Sequence, residues 1–285
     1  MFAALLLLAS ASAASCPDPE ETVYVAAGRF WTGSDAAERR LALTLSSPAV
    51  REARWFDAEP PRHKIPLPAF CIDRFLVTQA RYAEFIAATG HRSPGISKED
   101  YLRQGFLVHD YDTEVTRYLW EPDRPPPRLM QHPVVLVSVF DAEAYCRWRR
   151  PTWRLPIEAE WEKAARGDHG WVFPWGDTWD PGRANSAASG ANGTSAVTGY
   201  PGGASPYGMF DAVGNVFQWT ASVLENGRRI VKGCAWDDEP GLCRPAFRHG
   251  RPAQSRHVLI GFRCAGSPRV NGSRREQHGP TPNNP

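Results

Sequence analysis

"RLPIEAEWEKAARG", residues 154–167, is the stretch from which the fold can be read. Ile157, Trp161, Ala164 and Ala165 fall on one helical stripe, and the early glutamates suit the positive end of a helix. Gly167 supplies the stop. The stretch predicts a short amphipathic helix that lays an indole against a core.

Just upstream, "PVVLVSVFDAEAYCRWRR" (133–150) pairs a short apolar strand with Ser138-Val-Phe-Asp141, the pattern of a reciprocal helix cap; Ala142, Tyr145 and Cys146 then share a face. Further back, "VTQARYAEFIAATG" (77–90) sets Tyr82, Phe85, Ile86 and Thr89 at i, i+3, i+4 and i+7, with Thr78 to cap the start and Gly90 the end. "ETVYVAAGRFWTGS" (21–34) alternates Val23 and Val25 with polar residues up to Ala27-Gly28 and reads as a β-hairpin. Residues 35–66 read as a surface loop, and 91–133 as a long excursion without a period. Downstream of 167, Gly, Pro, Asn and Trp dominate, with short strand-like pieces at "RIVKG" and "IGFRC". Eleven tryptophans in such a chain predict a core filled by indoles.

The 285 residues are 42% hydrophobic with a formal net charge of +2, which fits one globular domain over residues 20–267 and leaves no basic face for nucleic acid. Residues 1–15, "MFAALLLLASASAAS", are too short to span a bilayer and end in overlapping A-x-A signals, as a secretory signal peptide does. The expectation is therefore an exported protein, periplasmic or secreted, with a lipid anchor on Cys16 as one variant. The tail from Pro268 to Pro285 is polar and proline-rich and reads as disordered. In an oxidising compartment the six cysteines (16, 71, 146, 234, 243 and 264) could form up to three disulfides.

Six ordered blocks carry a resemblance: "FCIDRFLVTQARYAEF", "PVVLVSVFDAEAYCRW", "RLPIEAEWEKAARG", "FPWGD" (173–177), "SPYGMFDAVGNVFQWT" (205–220) and "IGFRCA" (260–265). Together they resemble the sulfatase-modifying, formylglycine-generating enzyme family. The resemblance implies a loop-rich α+β fold related to C-type lectins, and a disulfide between Cys146 and Cys264. It also implies chemistry. In the formylglycine-generating branch two closely spaced cysteines hold copper(I), to which soft thiolates are suited. Counting from Lys232-Gly233, the second of those cysteines falls on Cys243 but the first falls on Asp238. A serine of the oxygen pocket is also replaced, in Gly233-Cys234-Ala235-Trp236. The positions of a second family disulfide are Ala165 and Arg248, so that bond is lost on both sides.

Three readings of Cys234 and Cys243 follow: a disulfide, a rearranged copper or iron site that includes Asp238, or a redox pair acting on a substrate. The enzyme reading places the reactive centre at Cys243, Asp238 and Trp236, acting as an oxidoreductase on a peptide or peptide-derived substrate held by Arg244, Arg248 and Arg251. The competing reading is a non-catalytic binding or accessory module on the same fold. The resemblance further implies structural calcium at Asn215 and at Asn185 with Ser186, although Gln218 stands where the family has a glutamate; asparagines closing turns are the alternative. The eight histidines show no metal-ligand spacing and read as surface or loop residues.

Overall fold

The computed structural model describes residues 14–105 and 108–270. In chain order the elements are β1 (Ala14–Ser15), β2 (Thr22–Val25), β3 (Gly28–Thr32), α1 (Ala36–Thr44), α2 (Pro48–Glu52), β4 (His63–Leu67), β5 (Phe70–Asp73), α3 (Gln79–Thr89), α4 (Lys98–Arg103), α5 (Val139–Arg149) and α6 (Glu158–Arg166). After α6 come β6 (Phe217–Val223), β7 (Arg229–Lys232), β8 (His249–Arg251), β9 (Ile260–Gly261), β10 (Ala265–Gly266) and β11 (Arg269–Val270), with irregular chain and single helical turns between.

The helices start and stop where the side chains dictate. Thr78 accepts from the Arg81 amide and Gly90 ends α3 in the left-handed region. Ser138 and Asp141 form the reciprocal cap of α5. In α6, Trp161, Ala164 and Ala165 are fully buried, whereas Ile157, outside the first turn, is 38% exposed and does not join the stripe. Trp161 packs with Val23, Val25, Phe70, Ile72 and Met209.

The sheets are small. β6 runs antiparallel to β7 and parallel to β9, and β7 continues antiparallel to β8. β5 lies between β2 and β10.

Three local expectations are corrected. The predicted hairpin does not form: β2 pairs with β5 and β3 with β4, because the Val23 and Val25 face is buried against α6 rather than against its sequence neighbour. The stretch 35–66 is not a loop but α1, α2, a helical turn at Trp55–Ala58 and β4; Asp35 and Ser47 cap the helices and Pro48 opens the second. Residues 134–137 are buried but make no strand ladder. Leu136 turns through φ 59°, its amide donating to the His257 carbonyl.

All six cysteines are bonded, as Cys16–Cys71, Cys146–Cys264 and Cys234–Cys243. The first bond overturns the lipid anchor, since the Cys16 sulfur that would carry the thioether is already used. Residues 1–13 of the expected signal peptide and 271–285 of the expected tail lie outside the described residues; Ala14 and Ser15 pair with Val270 and Arg269. Among the described residues no helix is long and apolar enough to cross a membrane.

Candidate functional site

The segment after β7 begins at Gly233, whose φ of 103° and approach to the Trp161 ring leave no room for a side chain: an added Cβ would lie 2.9 Å from Trp161 Cζ2. Cys234 follows in the left-handed region at φ 59°, and the Gly214 amide donates to its Sγ at 3.1 Å. The chain then loops to Cys243, with Cα atoms 5.0 Å apart across the bond. Both sulfurs are buried. The loop is held from outside by the α1–α2 corner: the Ser47 amide donates to Glu239, and Gly241 packs so closely on the Ala42 carbonyl that an added Cβ would lie 2.4 Å from it.

This arrangement corrects the copper reading. Sulfurs bonded to each other offer no thiolate pair to copper(I). Asp238 accepts from the Ala235 amide at 2.7 Å, and burial, then the neighbouring Asp237 charge, push its carboxyl well above the usual range. Among the described residues no group of three or more His, Cys, Asp or Glu side chains is arranged to hold a metal ion.

The calcium positions are engaged in turns. Asn215 Oδ1 accepts from the Ser195 amide at 3.0 Å, and Asn185 Oδ1 accepts from Ser189 Oγ at 3.1 Å. Ser186 Oγ has no hydrogen-bond partner among the described residues. Gln218 receives Trp161 Nε1 and Arg263 Nε, each at 2.7 Å, and brings no charge. This donor set does not fit calcium as it stands.

The predicted substrate arginines divide. Arg244 has no exposed surface; it pairs with Glu59, and at 3.3 Å with Glu38, inside a network that also holds Arg166, Glu162 and Lys232. It belongs to the scaffold and cannot contact a ligand. Arg248 pairs with Glu158 at 3.0 Å. Arg251 lines a cavity with Gln104, Pro252, Ser255, His257 and Ile260.

What the sequence reading missed is a histidine cluster beside the loop. His109 and His257 lie in irregular chain, as expected of loop histidines, but they are buried, 6% and 2% exposed. His109 Nε2 lies 3.0 Å from Asp237 Oδ2, and its Nδ1 lies 3.3 Å from Glu114 Oε1. Burial alone would lower the His109 pKa, but the hydrogen bond and charge of Asp237, then Glu114, raise it above the ordinary value. The ring rests on Trp236, centroids 4.7 Å apart, and on His257 at 6.0 Å. The Leu259 amide donates to His257 Nδ1, so a neutral His257 carries its proton on Nε2, 3.3 Å from the Tyr101 hydroxyl.

Three atoms of this cluster have no hydrogen-bond partner among the described residues: His109 Nδ1, which only approaches the Glu114 carboxylate, Asp237 Oδ1 and Trp236 Nε1. Buried polar atoms without partners mark places where a ligand or water completes the set. The signal was in the sequence as His109 and His257, but they stand 148 positions apart, and only the fold joins them to Asp237.

An open cleft of about 680 Å³ lies between α4, the start of α5 and the segment after β8. Gln104, Pro252 and Ser255 line both this cleft and the inner cavity of about 30 Å³ that reaches Arg251 and His257. The cleft volume falls in the range of small-ligand sites.

Residues 9–268 match the family described as sulfatase-modifying factor enzyme 1-like domain. The chain is 31% identical over 283 residues to inactive C-alpha-formylglycine-generating enzyme 2 of Mus musculus, covering 86% of this chain and 85% of that protein. It is 30% identical over 257 residues to hercynine oxygenase of Mycolicibacterium smegmatis, covering 78% of this chain and 59% of that protein. Among solved structures, PvdO from Pseudomonas aeruginosa superposes with a TM-score of 0.63 at 23% identity, over 86% of this chain and 94% of that one, a likeness of fold. The order of the blocks, the Cys146–Cys264 bond and these similarities agree: the chain belongs to the sulfatase-modifying factor enzyme 1-like family.

Proposed function

We propose that this protein is an exported oxidoreductase acting on a peptide or peptide-derived substrate, with a reactive centre built on acid–base side chains in place of a copper dithiolate. The observation that carries the reading is the buried His109–Asp237 pair on Trp236, with unpartnered polar atoms, beside His257, which lines the small cavity that shares Gln104, Pro252 and Ser255 with the open cleft. Cys243 serves there as scaffold, Asp238 holds the turn through the Ala235 amide, and Trp236 carries the His109 ring. Oxygenases among the relatives support oxidation as the reaction type.

A two-electron oxidation is the step that fits. The substrate loses two electrons and two protons; dioxygen takes both electrons and both protons and leaves as hydrogen peroxide, with His109 accepting one of the protons from the substrate and passing it on. A histidine with a raised pKa is suited to receive that proton and hand it on. Three disulfides favour export.

The relative named inactive favours a second reading, a binding module that keeps the cleft without the chemistry. One experiment separates them. Purified protein is incubated with a peptide-rich extract in air, and masses and peroxide are followed for the wild type, His109→Ala and Asp237→Asn. Oxidation expects products lighter by two hydrogens, formed with peroxide and reduced on the order of a hundredfold in His109→Ala. Ligand retention with unchanged masses supports the binding module instead.

A further inference from the structure

The open cleft carries a charge and shape pattern that specifies a class of ligand. Five charged residues line it: Arg92, Arg103, Arg256, Asp100 and Asp141. Arg256 is committed to Asp141, which His91 Nε2 also approaches at 2.9 Å. Arg103 is committed to Asp100 and Glu99. Arg92 pairs with no carboxylate among the described residues; its one hydrogen bond is a long one to the Gly95 carbonyl, 3.4 Å. The cleft therefore holds one cation in excess, on a long, exposed side chain.

The apolar side of the pattern is Phe140. It sits in the first turn of α5, lines the same cleft and is 56% exposed, although the other face of the helix is buried core. Ile96 and Pro252 continue that surface. The floor is rigid: Gln104 accepts from the Arg256 amide at 2.8 Å and donates to its carbonyl at 3.3 Å.

Resting on the reading of this cleft as the substrate entry, we propose that it selects a peptide-like ligand bearing a carboxylate, which pairs with Arg92, and an apolar or aromatic side chain, which lies on Phe140. The end to be oxidised then points past Gln104 and Ser255 toward His257 and Asp237. A guanidinium takes a carboxylate through paired, charge-assisted hydrogen bonds, and an exposed ring supplies contact area at little entropic cost.

The test uses two probes of equal length, acetyl-Phe-Glu-Gly-Glu-amide and acetyl-Phe-Lys-Gly-Lys-amide, titrated into the full chain by two-dimensional NMR at low and at physiological salt. The acidic probe is expected to shift amides around Gly95, Phe140 and Gln254, to bind at least tenfold more tightly than the basic one, and to weaken with salt. Arg92→Glu should remove that preference, while Phe140→Ala weakens both probes. Equal binding of the two probes, shifts outside the cleft, or an unchanged preference in Arg92→Glu overturns the assignment. Failure here together with His109-dependent oxidation would leave the reaction standing and remove only the ligand class.

Discussion

Arg244 illustrates how burial redirects a residue that looks functional. Its guanidinium is enclosed by Glu59, Glu38 and the ring of Phe56, 5.1 Å away, and the Gly241 carbonyl accepts from its Nε at 2.9 Å. Truncating one partner of such a network strands the opposite charges out of water. Arg244→Ala is expected to lower stability by about 3–5 kcal/mol, read as a fall in the urea midpoint. A loss below about 1 kcal/mol, as for an exposed ion pair, would show that water reaches the network. Arg251, by contrast, lines the inner cavity. Burial, with Arg228 beside it, lowers its pKa to about 10, so it stays charged at neutral pH.

At the scale of elements, the loop between Cys234 and Cys243 is a stapled turn beside the His109–Asp237 pair. It is closed by a bond of sequence separation 9 and pinned by Ser47 and Gly241 to the α1–α2 corner. The double variant Cys234→Ala/Cys243→Ala should lose about 2–3 kcal/mol, the chain entropy released on opening so short a loop. Its His109–Asp237 pair should survive, because Asp237 is also tied through the Ala235–Asp238 turn. A variant that keeps full stability would mean the corner alone holds the loop.

Legibility followed the same scale. Helices α3, α5 and α6 were readable because their caps and stripes are local, and β7 and β9 because they are short apolar runs between turns. Asp35 and Ser47-Pro48 were equally local signals for α1 and α2, hidden by a polar composition that resembled a loop. The β2–β5 and β3–β4 pairings were not readable, since partners some 40 residues apart are chosen by what the core buries. The loop residues Trp236, Asp238 and Cys243 were found by alignment with family blocks. His109 joins them only through a long excursion that has no period, so no spacing rule could reach it.

For the whole molecule, three bonds tie distant parts of one chain. Cys16–Cys71 anchors the start of the described chain beside β5, Cys146–Cys264 clamps α5 to the segment leading into β10, and Cys234–Cys243 closes the site loop. With every cysteine engaged, the account requires a protein that works without free thiols. The measurement that tests this most directly is non-reducing peptide mapping by mass spectrometry after alkylation of the native and the unfolded chain. The account predicts three cross-linked pairs, among them a peptide joining Cys234 to Cys243, and no alkylated cysteine in either state. Alkylation of Cys234 and Cys243 in the unreduced chain, blocked when copper(I) is added, would contradict it and return the site to thiolate chemistry.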